Sequence, residues 1–194
     1  MFDDWFSYSL VDFIPVEVDV YIGLFSRANN GLWPWTLIPV VLGIVLVVLV
    51  KKQCIKYACW LLGLAWFFCA YQFHFKLLSE LNWVGSYFAG VFFLQGFLLL
   101  VISFLTPSSM DASQFQARLG LSILLLAMII FLIIPLFTDR PWSSVEVFSI
   151  APNPTCLMTL GAMLTLNIRR WWLYFIPVAW SLFSVIVAFA MNAI

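Results

Sequence analysis

From residue 32 onward the chain alternates long apolar runs with short polar breaks. Each run can be measured against the roughly 20 residues that a helix needs to cross about 30 Å of hydrocarbon. Six runs fit: residues 32–50, closed by Lys51-Lys52, then 56–78, 83–105, 117–137, 154–168 and 171–193. The fifth is short, and the irregular stretch 150–153 is expected to supply the rest of its crossing. This pattern predicts an all-α fold, a polytopic transmembrane helical bundle of six spans over residues 32–194. Residues 1–31 read as an N-terminal amphipathic and extended segment on the outer face. Phe2, Trp5, Phe6, Leu10, Phe13 and Ile14 recur at helical spacing with Asp3, Asp4, Ser7 and Asp12 mostly between them, which suits a helix lying in the membrane interface. Pro15 ends it, residues 16–20 alternate like a short strand, and Asn29-Asn30-Gly31 is expected to break the chain.

Composition sharpens this picture. With 64% apolar and 9% charged residues and a mean hydropathy of +1.06, the chain is no ordinary soluble domain. A formal net charge of zero gives no global field to draw in nucleic acid. The acidic start, Met-Phe-Asp-Asp-Trp, is unlike a cleaved leader. Basic residues fall unevenly: Lys51, Lys52, Lys56, Arg118, Arg169 and Arg170 on one side, Arg27, Lys76 and Arg140 on the other. The richer side should face the cytosol, which puts both termini outside a bacterial inner membrane. Tryptophans at span ends (Trp33, Trp35, Trp83, Trp142, Trp171, Trp172) suit an interfacial belt.

The stretch Ile-Ala-Pro-Asn-Pro-Thr-Cys-Leu-Met-Thr-Leu-Gly at 150–161 carries the densest candidate chemistry. Its two prolines should hold Ala151 and Asn153 extended, with Pro154 opening the next helix. Thr155 and Thr159 lie one helical turn apart, and such stripes are more often packing seams than solute paths. Ser86 with Gly90, and Gly85 with Ala89, are further seams on the third span, as are Ser181, Ser184 and Ala188 on the sixth. Gln95, in mid-span, should bond to another helix. His74 is the single histidine. It could relay protons or bind metal, but the plainer reading bonds it to a carbonyl or to Glu80. Lys76 and Glu80, four apart, could pair at an exposed helix end. Cys54, Cys59, Cys69 and Cys156 match no disulfide or zinc spacing. No protease, esterase or phosphate-loop signature occurs, so neither an enzyme nor a cofactor or metal site is expected.

Taken together the motifs are Asn29 before Trp33-Pro34, His74 with Asn82, Gln95, Ile134-Pro135, Pro152-Asn153-Pro154-Thr155, Thr159-Leu160-Gly161 and Ile176-Pro177 with Trp180-Ser181. Their order resembles a family of bacterial six-helix integral membrane proteins known only as a domain of unknown function. That family has a cysteine between the two prolines, where this chain has Asn153. Of the matched residues, Asn29, Trp33, His74, Asn82, Pro135, Pro152 and Pro154 are expected to fall towards the outer leaflet. This motivates a polar pocket between the second, fourth and fifth spans, drawn from Asn29, His74, Asn82, Gln95, Asn153, Thr155, Cys156 and Thr159. Two functions follow as expectations: an accessory or structural subunit of a larger membrane complex, with the lipid bilayer and other membrane subunits as partners, or a small-solute or metal-ion permease using that pocket.

Overall fold

A computed structural model describes residues 18–105 and 113–192. The expected interfacial helix over residues 2–14 therefore lies outside the described residues. Those described form an all-α chain: α1 (Val18–Leu32), α2 (Leu37–Lys51), α3 (Ile55–Leu81), α4 (Val84–Leu105), α5 (Gln114–Leu136), α6 (Pro152–Thr165) and α7 (Trp172–Asn192). α3, α4, α5 and α7 are long and apolar enough to cross a membrane. The pair α1 and α2, bent by 98°, would make one further broken span. At 14 and 15 residues, α6 and α2 are each only about 21–22 Å long.

Two expectations near the start are corrected. Val18–Val20 open a helix rather than continue a strand, and Asn29-Asn30-Gly31 lies inside α1. Asparagine disfavours a helix when its side chain competes for nearby backbone. Here the Asn29 amide donates instead to the distant carbonyls of Ser143 and Val145, at 2.7 and 2.8 Å. The break falls four residues later, at the turn carrying the cis Trp33–Pro34 peptide. α1 is pinned across the C-terminal end of α3 by Phe25 stacked on Phe73 at 5.0 Å and by Arg27 paired with Glu80 at 2.8 Å. Glu80 thus pairs with α1, not with Lys76. α3 widens to π-helical geometry over Ala70–Leu78, so residues four apart no longer sit above one another there.

Both short helices stop the same way. After α2, the Gln53 N–H returns to Val50 O and the Cys54 N–H to Leu49 O, with Gln53 at a φ of 54°. After α6, Asn167 and Ile168 repeat the pattern onto Leu164 and Met163, with Asn167 at 51°. This double return satisfies the last carbonyls and turns the chain sharply.

Glycines set the closest crossings. A methyl on Gly161 would stand 2.6 Å from the Leu124 nitrogen and 2.7 Å from the Gly120 carbonyl, so α5 and α6 touch backbone to backbone. Gly63 and Gly96 do the same for α3 and α4, where a methyl on either meets the other's carbonyl at 2.9–3.0 Å. On α4, Gly85 and Ala89 are buried while Ser86 and Gly90 face outward, with open space around Gly90. The two expected seams are about 100° apart round one helix, and of the two only Gly85–Ala89 is packed. α6 ends up at the centre, and no residue from 143 to 168 is fully exposed.

Candidate functional site

Two prolines start α6 where a helix has backbone N–H groups to spare, so their missing donors cost little. Ala151 is extended, with φ −95° and ψ 143°, but the helix begins at Pro152 and Asn153 is helical, a correction to the extended reading. Ser149 sits at a φ of 65°, and its N–H donates to the Thr155 hydroxyl at 2.9 Å. That hydroxyl donates in turn to Ala151 O at 2.7 Å. The prolines have removed N–H groups from this helix start, and a side chain joins the irregular loop to the first turn.

Asn153, in that first turn, is where three elements meet. Its amide nitrogen donates to Glu146 Oε2 at 2.8 Å. Its oxygen accepts from Trp180 Nε1 at 3.1 Å and from the Ser184 hydroxyl at 2.6 Å, two positions one turn apart on α7. Glu146 belongs to the loop before α6, outside the long helices, and is 5% exposed. Burial pushes its carboxyl up from 4.5 to about 7, against the opposing pull of the Asn153 N–H and of Arg140, whose guanidinium stands 3.7 Å away.

His74 lies on the other side of Trp180, in the middle of the π-helical stretch of α3 and fully buried. Its ring is 4.2 Å from Phe92, 4.9 Å from Trp180 and 5.9 Å from Phe88. Neither ring nitrogen has a hydrogen-bond partner, so the expected bond to a carbonyl or to Glu80 is not made. Lower down, Thr159 accepts from Trp66 Nε1 at 2.8 Å and donates to Thr155 O at 2.7 Å, fastening α6 to α3. Cys156 is buried on the same helix.

Of the residues expected to form one pocket, Asn153 and His74 flank Trp180, and Thr155, Cys156 and Thr159 run down α6 beside them. Asn29 bonds to the loop ahead of Glu146. Asn82 caps the start of α4 through Val84 N–H. Gln95 donates to Leu173 O at 2.9 Å, at the far end of α7. The cluster therefore lies among α3, α6 and α7, with α7 in the place expected for the fourth span. Glu146, Trp180 and Ser184 were not among the expected pocket residues. Glu146 sits among Val145, Val147, Phe148 and Ile150, a run too apolar for a solvated acid, and that was the signal to read.

Chemically, the group offers one carboxyl near neutrality and one unbonded imidazole, joined by an amide and an indole. Neither linker takes up or gives up a proton near pH 7. Among the described residues no three His, Cys, Asp or Glu side chains gather as a metal site.

No curated protein and no solved structure matches the chain. The model of a family of unknown function, DUF6064, matches residues 18–193, and the chain belongs to that family.

Proposed function

We propose that this chain is an integral protein of a bacterial inner membrane that serves as an accessory or structural subunit of a larger membrane complex, not as a catalyst. In this reading α2 to α7 make six crossings. The turn at 33–36 extends the short α2, and the stretch 150–153 completes the crossing of α6. Both termini face outwards, with Lys51, Lys52, Lys56, Arg118, Arg169 and Arg170 in the cytosol. The observation that carries the reading is the Asn153 junction, where the polar groups on α6 are spent joining one helix to the next. Such groups at membrane depth hold helices in register, and interhelical bonds of this kind average about 0.6 kcal/mol. The broad outward faces of α5 and α7, with Phe115, Leu126, Ile129, Phe175, Leu182 and Phe189 exposed, leave room for lipid and neighbouring subunits.

A second reading, a small-solute or metal-ion permease, draws its support from His74. An ionisable side chain buried in a span with both nitrogens unbonded is a costly feature to keep without use. One pair of experiments separates the two. Purification in mild detergent followed by mass determination should return a stoichiometric second protein, and liposomes holding the pure chain should show no solute flux. Flux that disappears in His74→Ala, with no co-purifying partner, would establish the permease instead.

A further inference from the structure

α2 and α3 are joined by a tight turn at Lys52–Cys54 and then diverge, leaving a groove of about 910 Å³ along much of their length. Leu32, Trp35 and Tyr71 stand at its outer end, Leu42, Leu64 and Phe68 along it, and Leu49, Tyr57 and Trp60 at its inner end. The lining is apolar almost throughout. The helix ends next to those inner residues carry Lys51, Lys52 and Lys56, all exposed and none lining the groove itself, with Lys56 Nζ held 5.8 Å over the Phe104 ring. The described acidic residues, Asp19, Glu80, Asp139 and Glu146, belong to the opposite ends of the helices. The inner mouth is therefore a concentrated positive patch beneath an apolar channel.

We infer that this groove is a site for an anionic phospholipid, its acyl chains lying between α2 and α3 and its headgroup held by Lys51, Lys52 and Lys56. Basic clusters between helices on the cytosolic side recognise such headgroups. The shape of the lining distinguishes lipid from a partner helix. The two closest helix crossings in this molecule are at glycines, Gly63 on Gly96 and Gly120 on Gly161. The groove is walled by tryptophan, tyrosine, phenylalanine and leucine, which keep a second backbone at a distance and suit flexible hydrocarbon. Trp35 and Trp60 mark its two ends at the depths where aromatic side chains meet headgroups. The inference rests on the membrane reading above and adds the ligand class to it.

The test uses the full chain in nanodiscs and in native mass spectrometry. The probes are palmitoyl-oleoyl phosphatidylglycerol and phosphatidylcholine, which share acyl chains and differ in headgroup charge. One phosphatidylglycerol should be retained per chain in preference to phosphatidylcholine. Replacing all three lysines (Lys51→Gln, Lys52→Gln, Lys56→Gln) should weaken that preference on the order of 100-fold, since each basic residue near such a headgroup contributes about fivefold. Leu64→Trp, which narrows the groove midway and leaves the lysines, should weaken lipid retention while the protein keeps its thermal midpoint. Equal retention of the two lipids, undiminished retention in the triple variant, or disulfide cross-linking of Leu64→Cys to a second chain or another protein would overturn the proposal. Carbonate extraction of cell membranes is the separate control. A chain released by carbonate refutes the membrane reading itself, whereas one that stays in the pellet yet shows no lipid preference refutes only the site.

Discussion

Asn153 answers a carboxylate, an indole and a hydroxyl with one amide, so its loss strands three groups at once. Asn153→Leu should lower stability on the order of 3 kcal/mol, because buried donors and acceptors left without partners each cost about 1–3 kcal/mol. Thermal unfolding in detergent measures it. Adding Glu146→Met to that variant should recover part of the loss, since removing both members of a buried pair costs less than removing one. Glu146 also sets a pH dependence. Its folded-state value is raised from 4.5 to about 7, so the stability it contributes is full below about pH 4.5 and is lost as pH rises through 7. The span of that loss is about 3 kcal/mol. A thermal midpoint that falls between pH 5 and pH 8 in the wild type, and is flatter in Glu146→Gln, is the expected result. The sequence made Asn153 legible through its prolines, but Glu146 was not among the residues expected at the site. Burial of an acid depends on what packs over it, and here the cover comes from α6 and from α1 held by Asn29, over a hundred residues away.

Helices were the most legible level, because a membrane-length apolar run leaves the backbone few alternatives. The runs at 83–105 and 117–137 became Val84–Leu105 and Gln114–Leu136. What the runs could not reveal was how the helices touch. The Ser86–Gly90 and Gly85–Ala89 patterns look alike on paper, and only packing shows that Gly85 lies against the backbone of Ser79 while Gly90 faces open space. That contrast gives a paired prediction. Gly161→Ala drives a methyl into the backbone of α5 and should cost at least about 2 kcal/mol, within the range for overpacking. Gly90→Ala should be neutral or gain up to about 1 kcal/mol in helix propensity. Chemical or thermal unfolding of the two variants side by side checks both. The π-helical stretch around His74 was likewise invisible, since Ala70–Leu78 carries no proline or glycine to mark it.

At the scale of the whole molecule, the proposed sidedness predicts that reporters fused after Lys52 and after Arg170 report the cytosol, and one fused after Asp139 reports the periplasm. A periplasmic signal after Lys52 would invert the arrangement and move the lysine-flanked groove to the other leaflet. The central helix has a consequence for how such a chain could be made. Thr159 of α6 finds its partner on α3, which emerges from the ribosome before it, but Asn153 finds two of its partners on α7, which emerges after it. A nascent chain halted at residue 168 holds its innermost segment without the closing clasp. Translation of α7, Trp172–Asn192, is then the step at which the protein becomes resistant to membrane proteases.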